Sequence, residues 1–159
     1  MPPAVQPDLP PRMREVRMIL IDQVPGTTME SLITKGCVKN FESSLRVEIL
    51  GKAMEKYTWL TLYGVFQHNL APRNIMISKD LLQVTLIDPS HAHVLGLPNS
   101  VGPLRTDRER PLNPIDLFNG AWDNEWLPWI PEEYRSYEAF REWMQTRWGD
   151  SKEFEPPYP

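Results

Sequence analysis

The segment "FESSLRVEILGKAMEKYTWLTLYG", Phe41 to Gly64, constrains the fold more than any other. Val47, Leu50, Met54, Tyr57 and Leu60 recur at spacings of three and four, and Ile49 and Ala53 widen the stripe. That period lays one apolar face along a long helix, which must be buried against another element. Ser43 or Ser44 is the expected cap and Gly64 the expected end. Gly51 interrupts the helix at a cost of up to about 1 kcal/mol against alanine, so it marks a point of close packing.

A covering element follows at once. "NIMIS" and "QVTLID" are short β-prone runs joined by "KDLL", and together they read as an antiparallel hairpin. The fold class is therefore α+β, mainly helical with a small antiparallel β-hairpin. Upstream, "EVRMILIDQV" reads as a strand that stops at Pro25-Gly26. Thr27 or Thr28 then caps a short helix through Leu32 and Ile33, which Gly36 ends. "PIDLFNGAW" holds another short helix. "PEEYRSYEAFREWMQTRWG" predicts a longer one that begins at its proline and carries Tyr137, Phe140, Met144 and Trp148 as its apolar stripe. Trp122, Trp126, Trp129, Trp143 and Trp148 all fall in the last third, where large rings serve to pack a loop-rich subdomain better than to cage a ligand. Of the 17 prolines, eight cluster at the two ends. Residues 1–14 read as an extended proline-rich arm, 15–150 as one lobe, and 151–159 as an extended tail.

With 159 residues, 41% apolar and 24% charged, the chain has enough material for one globular core. A net charge of −4 leaves no basic footprint for nucleic acid. Cys37 stands alone, so no internal disulfide forms and a reducing compartment is expected; it reads as a plain, partly buried thiol. The first residues lack a signal peptide's apolar stretch, and no apolar run approaches the ~20 residues of a membrane helix. The expectation is a soluble cytoplasmic protein that binds neither nucleic acid nor membrane.

Chemistry concentrates around the hairpin. If the two strands pair, Asn74 enters and Asp88 leaves at the same open end. An amide carbonyl beside a carboxylate offers hard oxygen ligands, which suit Mg²⁺. Five residues upstream, Asn69 returns towards the same mouth, an arrangement for holding a metal–phosphate next to an acceptor. A rival reading uses His91-Ala-His93, two imidazoles on one face of an extended segment, with Asp88 nearby as a zinc hydrolase site. It needs His68 from another loop and lacks a further ligand of recognisable spacing, so hydrogen bonding within the lobe is the simpler account of these histidines. For Asp88 a cap or a salt bridge is the alternative to a ligand role.

"HNLAPRNIMI" followed by "VTLIDPSHA" resembles the catalytic and metal-binding segments of protein-kinase-like phosphotransferases, closest to the fungal and aminoglycoside-phosphotransferase-like members. Their loop runs H-x-D-L-x-P-x-N and their next strand ends in I-D-F. Leu70, Pro72 and Asn74 match that pattern directly. The resemblance implies Asn74 and Asp88 as metal ligands, Asn69 at the position of the usual catalytic aspartate, and Gln67 and His68 just before it. "VRMILIDQVPGTTMESL" resembles the hinge strand, which implies adenine bonding to the backbone near Gln23 and Val24. The likeness spans residues 15–148.

Three departures qualify the activity. Asn69 cannot take the acceptor's proton as a carboxylate would, a loss of about 10²–10⁴-fold. Pro89-Ser90 replaces the usual aromatic and glycine. Almost nothing precedes the hinge strand, so the expectation is a chain without the N-terminal lobe and its glycine-rich loop and lysine–glutamate pair. The expectation is a kinase-like C-lobe, a pseudokinase or fragment without turnover of its own. Mg²⁺ and ATP are its implied cofactors, held weakly or not at all. A nucleotide is the implied small partner, and a protein partner could cover the exposed hinge face. The alternative is an active phosphotransferase completed by another chain, with Asp22, Asp107 or Asp116 replacing the carboxylate.

Overall fold

Helix α2, Ser43–Leu62, is the spine of the molecule. The computed structural model describes residues 23–81, 83–96, 108–118 and 124–158. Val47, Ile49, Leu50, Ala53 and Met54 are buried along α2, as the periodicity requires. Further along, Tyr57 and Leu60 are only half-buried and Thr58 takes the inward position. Its hydroxyl donates to the Glu55 carbonyl at 2.7 Å, so the polar group enters the core satisfied. The expected serine cap is corrected: Glu42 is the N-cap, without a side-chain bond. Ser43 is engaged elsewhere, with the carboxylate of Glu133, whose pKa this hydrogen bond lowers. At the other end Gly64 follows Tyr63 with φ at 77°, the left-handed turn that stops the helix.

Before α2 come strand β1, Thr27–Thr28, and helix α1, Met29–Thr34. The Thr28 hydroxyl accepts from Ser31 N at 3.1 Å, so the expected cap is in place. After α2 come β2 (Val65–Gln67), β3 (Ile75–Ile77), β4 (Val84–Leu86) and β5 (Ala92–Val94). β3 and β4 form the expected antiparallel hairpin, with Ile75 opposite Leu86 and Ile77 opposite Val84. β1 joins its other edge, giving the order β1-β3-β4. Gly26 makes that junction possible: at φ 141° its backbone crosses Ile77 so closely that a Cβ would lie 2.2 Å from the Ile77 carbonyl oxygen. Ile75, Ile77 and Val84 face inward onto Met29, Ile49, Leu50, Ala53 and Met54. β2 and β5 make a separate antiparallel pair, which the residue pattern does not announce.

The C-terminal third is packed by rings. The segment expected as one helix from Pro131 is broken: Glu132–Tyr134 is a single 3₁₀ turn, and α4 runs only from Tyr137 to Trp148. Ser136 wins the N-terminus because its side chain accepts from Ala139 N at 3.1 Å. Phe140, Met144 and Trp148 of the expected stripe are buried, whereas Tyr137 at its N-terminus is 43% exposed. Trp126, Trp129, Ile130 and Phe154 share the same core. Asn113 caps the short α3, Pro114–Leu117, and also donates to the carbonyls of Trp148 and Glu155. Trp122, the arm 1–14 and residues 15–22 of the expected first strand lie outside the described residues.

α4 is tied to α2 through Arg147, whose guanidinium bonds Glu48 and reaches Glu55 at 3.0 Å. Trp148 Nε1 donates to the same Glu55 at 2.9 Å. Gly51 is the floor of this clamp, since a Cβ there would sit 2.6 Å from Arg147 Nε. Among the described residues no helix is long and apolar enough to cross a membrane.

Candidate functional site at the open end of the hairpin

The loop between β2 and β3 closes on itself through Asn74. A 3₁₀ turn, Pro72–Asn74, delivers this residue to the start of β3, where it is 3% exposed. Its side-chain amide donates to the Asn69 carbonyl at 2.9 Å, drawing the loop back over the strand. Its backbone carbonyl accepts from Ile87 N at 2.9 Å, one step beyond the last ladder pair. Asp88 is therefore the next residue out, at the same end of the hairpin as Asn74. With the side-chain nitrogen so engaged, the side-chain oxygen is the group of Asn74 with the chemistry of a metal ligand.

Asp88 has φ at 56°, a left-handed conformation that aspartate tolerates better than most residues. It turns the chain out of β4 into the 3₁₀ turn Pro89–His91. Gln67, 3% exposed at the end of β2, fixes that corner. Its side-chain nitrogen donates to the carbonyls of Ile87 at 2.8 Å and Asp88 at 3.2 Å. Nothing in the sequence singled out Gln67 as a support, because its partners lie twenty positions away on a strand whose register had first to be known. An amide oxygen and a carboxylate at one corner have the donor chemistry Mg²⁺ uses when phosphates and water complete its shell.

Asn69 stands at the same mouth, and its side-chain oxygen accepts from Arg73 Nη2 at 2.8 Å. Arg73 in turn donates to Glu125 at 2.7 Å, anchoring the loop to the C-terminal third. Of the carboxylates offered as replacements, Asp22 and Asp107 lie outside the described residues. Asp116 is on α3, where it accepts from Tyr158 N at 3.1 Å. Gln23 and Val24 precede the Pro25-Gly26 bend, and Gly26 meets Ile77 and Ser78 at the turn end of the hairpin. The outer face between that end and Asn74 carries Met76, half-buried and flanked by Thr28 and Thr85 on the neighbouring strands.

His91 and His93 do not form the pair that the rival zinc reading needs. His91 ends a 3₁₀ turn while His93 lies in β5, so they do not share one extended face. His93 instead meets His68, with Nδ1 and Nε2 2.9 Å apart. Among the described residues no group of three or more histidine, cysteine, aspartate or glutamate side chains is placed to hold a metal ion, which leaves a zinc hydrolase centre without its ligand set. Cys37 is half-buried and unpaired with any other cysteine, as expected.

Comparison with family models, with curated proteins and with solved structures finds no match to this chain.

Proposed function

We propose that the chain is a kinase-like phosphotransferase homologue that forms the floor of a magnesium–nucleotide site and does not turn over by itself. One observation carries the reading: buried Asn74 and left-handed Asp88 share the open end of an antiparallel hairpin, with the Asn69 loop bonded back onto Asn74. Asn74 and Asp88 would hold the metal through oxygen, and a bound magnesium ion would supply charge neutralisation for phosphates. The strip from Gln23 and Val24 across Met76 to Asn74 is where a nucleotide's base and sugar would rest. Adenine would bond the backbone near Gln23 and Val24, and the phosphates would reach Asp88.

Two features favour a binding role over catalysis. Asn69 occupies the base position with an amide, which has no basic site to receive a hydroxyl proton. Its oxygen is also engaged by Arg73. Among the described residues the strip is a floor, and a floor by itself buries roughly half of a ligand, which puts its own affinity in the millimolar range rather than the micromolar one.

Calorimetry and thermal shift with ATP, with and without Mg²⁺, test this directly. ATP at micromolar concentration should leave the melting temperature unchanged. At millimolar concentration a small stabilisation should appear only with Mg²⁺ and should vanish in Asp88→Ala, which removes the one anionic ligand of the corner. Tight, metal-independent ATP binding would overturn the assignment of Asn74 and Asp88.

A further inference from the structure

We propose that His68 and His93 form a two-imidazole site for a borderline transition-metal ion, Zn²⁺ or Ni²⁺, separate in chemistry from the oxygen ligands of Asn74 and Asp88. The inference does not depend on the nucleotide reading. It begins with register: β2 and β5 pair antiparallel with Phe66 opposite His93 and Gln67 opposite Ala92. His68 is the residue just past the end of β2, and its ring reaches back to His93. The rings meet edge to face, with centroids 4.7 Å apart and planes at 70°. Nε2 of His68 and Nδ1 of His93 are 2.9 Å apart, so both ring nitrogens point into one small volume.

The two rings share a single hydrogen bond there: one nitrogen carries the proton and the other offers its lone pair. If the donor ring carries its proton on the remote nitrogen instead, two lone pairs converge on one point. Zn–N bonds of ~2.0–2.1 Å at a tetrahedral angle hold two nitrogens about 3.3 Å apart. The gap therefore has to open by roughly half an ångström. Both residues are exposed, so side-chain rotation supplies that movement and water completes the shell. Neutral imidazole is a preferred ligand for Zn²⁺, Ni²⁺ and Cu²⁺ and a poor one for Mg²⁺, so the two kinds of ion sort between the two corners.

Occupancy would have a mechanical consequence. His68 lies between Gln67, which holds the Ile87 and Asp88 carbonyls, and Asn69, which is bonded to Asn74. His93 is on the strand that follows the Asp88 corner. An ion bridging the imidazoles ties the loop before Asn69 to the segment after Asp88 and stiffens the mouth from outside.

The test is a titration of the full chain, free of any histidine tag, with ZnCl₂ and separately with NiCl₂ in a non-chelating buffer. One ion per chain should bind with micromolar affinity, with millimolar Mg²⁺ failing to displace it. His68→Ala and His93→Ala should each weaken binding at least about tenfold, while Cys37→Ser should leave it unchanged. Nitrogen NMR of the unaltered protein with Zn²⁺ should move Nε2 of His68 and Nδ1 of His93 together, a readout that needs no variant to fold. Unchanged affinity in the His68→Ala/His93→Ala double variant would overturn the proposal. So would loss of binding in Cys37→Ser, or no uptake below millimolar zinc.

Discussion

Around Trp129 and Trp148 the chain is held by bonds that reach as far as 99 positions, whereas around Asn74 they are shorter in sequence, from four residues to the 52 between Arg73 and Glu125. Arg46 and Trp129 exchange two bonds across 83 residues, Arg46 Nε donating to the Trp129 carbonyl and Trp129 Nε1 to the Arg46 carbonyl. Arg147 reaches Glu48 over 99 residues, and Trp148 reaches Glu55 over 93. At the hairpin mouth, Asn74 bonds Asn69 five residues away, Arg73 bonds Asn69 four away, and Gln67 spans twenty to Ile87. The first region makes the fold close; the second shapes a local corner on a surface already closed. Substitutions in the two regions should therefore report on different properties, global stability in one and ligand chemistry in the other.

The largest effect should come from Trp129→Ala. The ring is fully buried between Phe41, Ile130 and the rest of the core, and its Nε1 satisfies the Arg46 carbonyl. Truncation leaves a cavity and removes the indole's bond to the Arg46 carbonyl, at a cost of about 3–5 kcal/mol. Urea unfolding followed by circular dichroism measures it. A loss below about 1 kcal/mol would break the contrast, because the C-terminal region would then not be what holds the chain together.

A smaller effect, one that depends on Arg147, is expected at Gly51. Alanine there gains about 1 kcal/mol of helix propensity in isolation. In this protein the new methyl would sit 2.6 Å from Arg147 Nε and push the guanidinium off Glu48 and Glu55. Arginine can move, so the steric cost is low and the loss is that of the ion pairs. Gly51→Ala should be near neutral in the natural chain and stabilising by about 1 kcal/mol in an Arg147→Ala background. The same clamp has a pH signature. The hydrogen bond from Arg147 holds the Glu48 carboxyl below its ordinary 4.5, against the opposing pull of burial. A depressed carboxylate contributes stability that is complete above its unfolded pKa and is lost as pH falls through the folded one. Stability should therefore drop on acidification below about pH 4.5 more steeply in the natural chain than in Arg147→Ala. Equal slopes would mean that Glu48 and Arg147 are not coupled.

The same division explains how much could be read beforehand. The period of α2, the β3–β4 hairpin and the Thr28 cap are local signals, and each is where the residues put it. Gly51 was legible as a point of close packing, but the neighbour was not, since Arg147 is 96 positions away in a helix whose start was itself misplaced. That start was misread because Pro131 and its acids imitate a first turn, while the stronger Ser136 cap lies five residues on. The β2–β5 pair escaped notice because three-residue strands carry no measurable alternation. At the site, the neighbourhood of Asn74 and Asp88 followed from hairpin register alone. The supports, Gln67 and Arg73, and the meeting of His68 with His93 depend on which strands pair, so composition and spacing could not reveal them.

The smallest structural effect, and the sharpest chemical one, belongs to Asn69→Asp. Arg73 Nη2 already donates to the Asn69 oxygen at 2.8 Å, so a carboxylate would turn this into a charge-assisted bond. Arg73 is well exposed and shared with Glu125, which limits the gain to about 0–1 kcal/mol of stability. The variant should thus unfold within error of the natural chain or slightly later. It should also remain without ATP-dependent phosphorylation of added acceptors in a coupled ADP-release assay. A general base supplies about 10²–10⁴-fold, whereas phosphate positioning and charge neutralisation usually supply more. In the proposed site, positioning and neutralisation rest on a two-ligand corner, Asn74 and Asp88, with Arg73 drawn away to Glu125. Robust turnover by Asn69→Asp alone would show that the amide was the sole obstacle, and that the hairpin mouth is a complete active site lacking one proton acceptor.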